Sequence, residues 1–550
     1  MNETYYICKY TPVELMQALG GTCTNLNIMH QDHSYAEEIA HSNLCGFGKT
    51  VLEAVMCGAV KELVLVNCCD AIRSVYDVLL DSGKLDFLFL LDVLRQNDSC
   101  SIRRLSMQLQ ALAKAYGAYK GTAFDEATFR SAFSKRQILQ EPYISVMGAR
   151  MGDVLFQTVE QTMPYPVRND TCVNNRHVDG SGIPEGGNFE TLMDWYAGEL
   201  LRQTPCMRMQ DRTGRKALTN APNLIGIIYH TVKFCDFYSF EYAALKNQQG
   251  TPMLKIESDY TVQSSGQLKT RLEAFAETLV PEKRIEKRRM NKGYFAGIDS
   301  GSTSTDVVIL NREKQIVAQV ILPTGAGAAI GAERALAKTL EIAGLRREDI
   351  DALVTTGYGR SAIQSGDKTI TEISCHAKGA HFLDPTVRTV IDIGGQDSKV
   401  IRLDGDGNVE SFVMNDKCAA GTGRFLEMMA RTLEMSLEEM SRRGLAYKED
   451  ITISSMCTVF AESEVVSLIA ENRATDDIVH GLNKSVASKT VSLVKRAGGT
   501  GTYMMTGGVA KNAGLVKCLE EKLGAKLVIS DKAQLCGALG AALFAMEITG

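Results

Sequence analysis

The first 280 residues alternate short apolar runs, typical of buried strands, with longer stretches of helical character. Residues 63–66 (LVLV), 224–229 (LIGIIY) and 252–256 (PMLKI) are predicted strands. This alternation predicts an α/β region with parallel sheets. Cys69 and Cys235 each stand just beyond a predicted strand and are each followed by Asp. Because ligands collect beyond the carboxyl ends of parallel strands, both cysteines are candidate site residues.

The second half repeats one strand–turn–strand pattern. Residues 298–307 read IDSGSTSTDV, and residues 391–400, 93 positions later, read IDIGGQDSKV. Each copy has an apolar run, an Asp, a glycine turn with small polar residues, and a second apolar run. The pattern predicts two β-hairpins in a duplicated α/β domain, with a nucleotide cleft between the halves.

The hairpin tips carry phosphate-binding chemistry. Backbone N–H groups at glycine turns bind phosphate oxygens, and an Asp beside them suits a hydrated Mg²⁺. Further along, residues 503–512 form a predicted strand running into a double glycine, which lets the backbone approach a flat ligand. The predicted contacts to a nucleotide are Gly301, Ser302, Thr303, Gly394, Gly395, Gly507 and Gly508.

Composition narrows the class of protein. The chain is 45% apolar and 23% charged with a net charge of −5, which suits a soluble globular protein and argues against bulk nucleic-acid binding. No run of about 18 apolar residues predicts a membrane span, and the N-terminus lacks the pattern of a signal peptide. We therefore expect a cytoplasmic protein. Fifteen cysteines are many for a compartment that keeps thiols reduced, so metal or cluster ligation is expected for a subset.

A basic run, PEKRIEKRRMNK at residues 281–292, follows a helix-like stretch and is interpreted as a solvated linker. It divides the chain into three predicted parts: residues 1–280, the linker at residues 281–292, and residues 293–550, which carry the repeat.

Two cysteines of the second half have glycine-rich or polar surroundings before predicted helices. Cys418 lies in NDKCAAGTGR and Cys457 in SMCTVFAESE. A thiolate is favoured at a helix N-terminus. A [4Fe–4S] cluster takes about four thiolates, so two per chain would be half a set that a two-fold dimer completes. The alternative is two unrelated buried cysteines.

Six motifs in order resemble one family: GIDSGSTSTDVVI, TGYGR, DIGGQDSK, NDKCAAGTGRF, CTVFAESEV and TGGVAKN. They are similar to the activators of 2-hydroxyacyl-CoA dehydratases, in the BadF/BadG/BcrA/BcrD ATPase group with its actin/hexokinase/Hsp70-like fold. The resemblance implies ATP and Mg²⁺ binding and a homodimer that holds one [4Fe–4S] cluster through two cysteines of each subunit. Cys418 and Cys457 fall on those positions.

The first half is similar to 2-hydroxyacyl-CoA dehydratase subunits and to the related double-cubane cluster proteins. The similar segments are YICKYTPVEL (6–15), SNLC (42–45), NCCDA (67–71), FCD (234–236) and residues 257–275. The resemblance implies Rossmann-type subdomains and a second iron–sulfur cluster, a cubane or double cubane, with Cys45, Cys69 and Cys235 on the ligand positions. Cys68, Cys172 and Cys206 are further candidates, for which we favour a structural role.

Together these patterns predict an ATP-driven electron donor fused to its iron–sulfur acceptor. Asp299 is expected to hold Mg²⁺ through water, and Asp392 or Gln396 to orient the attacking water. A ferredoxin or flavodoxin is the expected donor. The acceptor stays open between a 2-hydroxyacyl-CoA and a small unsaturated molecule, as does the need for a separate dehydratase-like subunit.

Two alternatives use the same ATPase fold without a cluster: a sugar or acetate kinase, and a chaperone-like ATPase. Brown colour in anaerobically purified protein would distinguish the iron–sulfur hypothesis from both alternatives.

Overall fold

The computed structural model describes residues 3–28, 32–41, 43–133, 141–246, 250–261, 265–280, 292–415, 419–453 and 458–549. The chain divides into two compact units, Met1–Leu272 and Glu273–Gly550. The basic segment 281–292 lies, apart from Lys292, outside the described residues, and its role as a linker stays a prediction.

The first unit contains two parallel four-stranded sheets with the same strand order. The orders are β2-β1-β3-β4 and β6-β5-β7-β8, so each sheet reverses direction beside its first strand. In open α/β sheets the crevice for ligands lies at that reversal, beyond the carboxyl ends of the strands. The strands are β1 (Thr4–Tyr6), β2 (Cys23–Asn25), β3 (Glu62–Val66), β4 (Phe87–Leu91), β5 (Tyr143–Gly148), β6 (Val167–Thr171), β7 (Leu224–Val232) and β8 (Met253–Ser258).

The helices of this unit cover the sheets and bury apolar side chains against them. Strand β3 is buried along its whole length, as expected for a parallel strand covered on both faces. The helices are α1 (Val13–Gln17), α2 (Ser34–Ile39), α3 (Gly46–Met56), α4 (Asp70–Ser82), α5 (Ser99–Lys120), α6 (Glu126–Ser131), α7 (Asp153–Thr162), α8 (Phe189–Arg202), α9 (Lys216–Thr219), α10 (Asp236–Leu245) and α11 (Ser265–Leu279), the last of which runs into the second unit.

The second unit contains two five-stranded mixed sheets, again with matching orders. These are β11-β10-β9-β12-β13 and β16-β15-β14-β17-β18, and in each the first three strands in sequence form an antiparallel meander. The predicted duplication is thus confirmed. The strands are β9 (Tyr294–Ser300), β10 (Ser304–Leu310), β11 (Ile316–Pro323), β12 (Ile350–Thr356), β13 (Lys368–Thr369), β14 (Val387–Ile393), β15 (Ser398–Leu403), β16 (Val409–Asn415), β17 (Thr502–Thr506) and β18 (Leu527–Val528).

The helices of the second unit pack on both sheets, and the last one is apolar on every side and deeply buried. They are α12 (Ala328–Ala343), α13 (Glu372–Leu383), α14 (Gly423–Thr432), α15 (Leu437–Arg443), α16 (Thr458–Ala470), α17 (Thr475–Ala497), α18 (Ala513–Leu523) and α19 (Cys536–Thr549). Across the described residues, the helices are all too short or too polar to span a bilayer.

Candidate nucleotide cleft and cysteine sites

The two predicted hairpins have equivalent turns, and their tips lie side by side. Strands β9 and β10 meet where the Gly301 N–H donates to the Ser304 carbonyl at 2.9 Å, and β14 and β15 meet where the Gly394 N–H donates to the Asp397 carbonyl at 3.0 Å. A Cβ added at Gly395 would stand 2.8 Å from the Thr303 side chain. The structure therefore brings the predicted phosphate-binding residues of both halves to one place, with Ser302, Thr303 and Gln396 exposed there.

The two hairpin aspartates lie on either side of a buried histidine that the sequence had not suggested. His376, on α13, has its Nε2 3.8 Å from the Asp299 carboxylate and its Nδ1 3.6 Å from that of Asp392. Thr506, at the end of β17, donates a hydrogen bond to Asp392 at 2.9 Å. One imidazole therefore spans the acidic positions of both halves.

A buried lysine organises the second hairpin. The Lys399 ammonium lies 2.8 Å from Asp397, 3.3 Å from Asp392 and 3.5 Å from Glu372. The Tyr358 hydroxyl of the first half donates to Asp397 at 2.8 Å. Three carboxylates thus share one ammonium group, and Tyr358 ties the TGYGR motif to the second tip.

The cleft holds several buried carboxyl groups whose charged form a bound cation would stabilise. Burial raises the pKa of Asp299, and it raises the pKa of both Asp306 and Glu372 to about 8. Burial also opposes ionisation of Asp392, yet His376 and Lys399 keep the pKa of that carboxyl below its usual value. The buried carboxylates outnumber the basic groups that contact them, and Asp306 Oδ1 has no hydrogen-bond partner among the described residues. This donor set suits Mg²⁺, a hard cation that takes oxygen ligands.

Two glycines leave room for the aspartates. Gly357 and Gly507 follow β12 and β17, the equivalent strands of the two halves, and both have positive φ, at 84° and 83°. A Cβ would stand 2.5 Å from the Asp299 carboxylate at Gly357 and 2.9 Å from that of Asp392 at Gly507. Larger residues there would be strained and would displace the carboxylates.

The second hairpin tip is hydrogen-bonded to the segment that follows Cys418. The amides of Gly423 and Arg424, which open α14, donate to the carbonyls of Gly394 and Gly395, both at 2.8 Å. Ser398 donates to the Gly421 carbonyl at 2.6 Å. Cys418 itself, like Cys457, lies outside the described residues.

The three predicted cysteine ligands of the first unit occupy equivalent local positions. Cys45, Cys69 and Cys235 are the N-cap residues of α3, α4 and α10. The Gly48 amide, in the first turn of α3, donates to the Cys45 sulfur at 3.3 Å. Free N–H groups and the helix dipole favour a thiolate at each of these places.

Cys45, Cys69 and Cys235 lie close enough to influence one another's ionisation. The Gly46 amide donates to the carbonyl of Lys233 at 3.3 Å, which ties the start of α3 to the loop before Cys235. Burial raises the pKa of Cys45 to about 11 and that of Cys235 to about 12, and the neighbouring thiols add to both shifts. A hydrogen bond from Cys68 lowers the pKa of Cys69 to about 7, which favours its thiolate.

Among the described residues, no three Cys, His, Asp or Glu side chains are gathered closely enough to hold a single metal ion. In a cubane each thiolate binds a different iron, which is a looser requirement. A buried arginine bonded to the loop that leads to Cys69 fits an anionic group: Arg208 donates to the Asn67 carbonyl at 3.2 Å, and its Nε and Nη2 have no hydrogen-bond partner in the described part of the chain. The residues present therefore fit a thiolate-ligated cluster, which is negatively charged.

The fold and the cleft define the class of protein: a duplicated ATPase domain with facing hairpins, preceded by two parallel α/β sheets. Comparison with known families agrees. Residues 296–545 match the BadF/BadG/BcrA/BcrD ATPase family, and residues 8–138 and 135–279 match the 2-hydroxyglutaryl-CoA dehydratase D-component family. The chain belongs to the BadF/BadG/BcrA/BcrD ATPase family through its second half and carries a dehydratase D-component region in its first.

Similar curated proteins match the second half over nearly their whole length. The activator of lactoyl-CoA dehydratase from Anaerotignum propionicum is 51% identical over 46% of this chain and 98% of its own length. The (R)-2-hydroxyglutaryl-CoA dehydratase activating ATPase from Acidaminococcus fermentans is 47% identical over 46% of this chain and 97% of its own.

Two solved structures match the same region. Component A of the (R)-2-hydroxyglutaryl-CoA dehydratase from Acidaminococcus fermentans is 46% identical over 47% of this chain and 99% of its own, with a TM-score of 0.46. The activator of the 2-hydroxyisocaproyl-CoA dehydratase from Clostridium difficile, with bound ADPNP, is 46% identical over 46% of this chain and 95% of its own, with a TM-score of 0.45.

Proposed function

We propose that the chain couples ATP hydrolysis in its second unit to the transfer of single electrons toward an iron–sulfur centre in its first. One observation carries the proposal most directly: the phosphate-binding tip at Gly394 and Gly395 is hydrogen-bonded to the opening turn of α14. That turn begins five residues after Cys418. A displacement of the tip on ATP binding would therefore move the segment that carries a predicted cluster ligand.

The residues of the cleft have separate parts in ATP hydrolysis. Asp299 would bind Mg²⁺ through water. The phosphates would be held by tip amides other than those of Gly301 and Gly394, which donate within their own turns. Asp392, kept ionised by Lys399 and His376, would accept a hydrogen bond from the attacking water, with Gln396 at the tip as the other candidate for that role. The products are ADP and phosphate. In this scheme no phosphoryl group reaches an organic acceptor, unlike in the kinase alternative, and the names of the relatives favour the activator.

The electron balance is simple. Cys418 and Cys457 would hold the cluster that takes up one electron lost by a ferredoxin or flavodoxin, and Cys45, Cys69 and Cys235 would hold the centre that gains that electron. Two subunits would contribute two cysteines each to the donor cluster. The final acceptor is proposed to be a 2-hydroxyacyl-CoA, by analogy with the dehydratases of the relatives' names, or a small unsaturated molecule.

An exposed apolar helix supports the homodimer. Helix α16, which directly follows Cys457, leaves Phe460 67%, Val466 53% and Ile469 43% exposed. A helix that is apolar on most sides is normally buried, so this one calls for a partner surface. Because α16 follows a predicted cluster ligand in the chain, this exposed apolar surface supports a two-fold dimer formed around the cluster.

Phe460→Glu should weaken the dimer at least tenfold in Kd, because a charge would be buried in an apolar contact at a cost above about 1.4 kcal/mol. Sedimentation of the anaerobic protein over a concentration series measures this. Ile330→Glu, on the exposed face of α12, is the matched control and should leave the Kd unchanged. Equal dimerisation of Phe460→Glu and wild type would exclude α16 from the interface.

Replacing a proposed ligand of the first unit should remove iron there. We expect Cys69→Ser and Cys235→Ser to lower iron and sulfide per chain by the content of one cluster, with ATP turnover unchanged because neither residue belongs to the ATPase unit. Cys100→Ser is the matched control, since Cys100 is an exposed free cysteine of the same unit. Full iron content in both Cys69→Ser and Cys235→Ser would disprove the ligand assignment.

A further inference from the structure

Arg208 is a buried cation whose hydrogen bonds are only half made. It is 6% exposed, and its Nη1 donates to the carbonyls of Asn67 at 3.2 Å and Val93 at 2.7 Å. Its Nε and Nη2 are shielded from solvent and have no hydrogen-bond partner among the described residues. Burying a guanidinium with unpaired donors costs free energy, and an anion bound beside Arg208 would offset that cost.

The groups around Arg208 are thiols. Cys206, Cys8 and Cys68 are the thiols near its guanidinium, and the guanidinium carbon lies 5.9 Å from the centroid of the Tyr10 ring. Asn67, whose carbonyl Arg208 holds, directly precedes the Cys68–Cys69 pair. The guanidinium is thus anchored to the loop that presents Cys69 at the N-terminus of α4.

Two buried carboxylates of this unit are already paired with other arginines. Glu14 is bonded to Arg176, and Glu241 is bonded to Arg215. A second buried cation, Lys9, lies near the same thiols and donates to Asn175 at 2.8 Å and to the Thr204 carbonyl. Positive charge therefore gathers near Cys8 and Cys206, and among the residues that the structure describes no ion pair joins Arg208 or Lys9 to a carboxylate.

We propose that Arg208 is the fixed counter-charge of the iron–sulfur centre in the first unit, and that it raises the reduction potential of that centre. This inference rests on the proposed function, which places a centre at Cys45, Cys69 and Cys235. Hydrogen bonds to cluster sulfur and nearby positive charge both favour the reduced state, which carries one more negative charge. Such a residue would make the centre an easier acceptor for the electron delivered by the ATPase unit.

The test is a redox titration monitored by electron paramagnetic resonance. The full chain carries Cys418→Ala and Cys457→Ala, so that the centre of the first unit is observed alone. In this background Arg208→Met should keep the iron content and lower the equilibrium constant for reduction at least tenfold. That change shifts the midpoint potential by about 59 mV in the negative direction for one electron. Arg208→Lys, which keeps the charge and loses the planar fork, should shift it by less.

Arg212→Met is the control, because this substitution removes the same charge from an exposed position of the same loop. It should leave the midpoint where it was. Unchanged iron and an unchanged midpoint in Arg208→Met would overturn the role of Arg208 alone. Iron lost from both Arg208 variants but kept in Arg212→Met would make Arg208 a structural residue and contradict the inference. A background protein without iron would overturn the proposed centre as well.

Discussion

Asp392→Asn should lower ATP turnover at saturating Mg-ATP by about 10²-fold or more, the scale seen when a preorganised catalytic group is removed. Asp392 is 3% exposed, and although burial opposes its charge, His376 and Lys399 hold the pKa of its carboxyl below the usual value. Asn keeps the size and the hydrogen bond from Thr506 but loses the charge. Asp299→Asn should have an effect of the same size through weakened Mg²⁺ binding.

Steady-state phosphate release, with binding of a non-hydrolysable ATP analogue measured in parallel, separates turnover from binding. Asp406→Asn, at the exposed β15–β16 turn of the same sheet, is the matched control and should behave as wild type. Turnover within threefold of wild type in both Asp299→Asn and Asp392→Asn would show that neither carboxylate is part of the catalytic machinery.

Cys418→Ala and Cys457→Ala should each abolish the donor cluster while ATP binding stays within threefold of wild type. Each chain should lose about two iron atoms, because one four-iron cluster would be shared by two subunits. ATP binding survives because the contacts expected to hold the nucleotide lie on the two hairpins and at Gly507 and Gly508, and neither cysteine is among them. Iron and sulfide analysis of the anaerobic full chain gives the first result, and analogue binding gives the second.

Cys518→Ala is the control for these variants, since Cys518 is a buried cysteine of the same unit that lies 3.8 Å from the His480 ring. Its loss should leave the iron content unchanged. A full iron complement in Cys418→Ala or Cys457→Ala would remove that residue from the ligand set.

The local patterns were sufficient to predict the hairpins and the duplication. A strand ending in Asp and a glycine turn is a short-range signal, and both copies at 298–307 and 391–400 fold as expected. The strands before Cys69 and Cys235 could also be predicted, because apolar runs bounded by polar residues mark buried strands. The end of the second was less well placed, since β7 continues to Val232, three residues beyond the predicted end at residue 229.

The buried polar network could not be predicted, because its members are distant in sequence. Nothing in the stretch around His376 indicates that it reaches Asp299, 77 positions earlier, and Asp392 in the other half. Lys399 lies within the DIGGQDSK motif, yet its contact with Glu372 depends on how α13 packs against the second sheet. Arg208 shows the same limit, since only burial reveals that its charge is unpaired.

The most direct test of the account follows the electron itself. The anaerobic full chain would be mixed with reduced ferredoxin, with and without Mg-ATP, and the redox state of the first unit's centre read by rapid-freeze electron paramagnetic resonance. We expect that centre to be reduced with Mg-ATP in the wild-type protein, and little reduction in Asp392→Asn or without nucleotide. Reduction at the same rate without ATP, or none with it, would contradict the coupling of ATP hydrolysis to electron transfer.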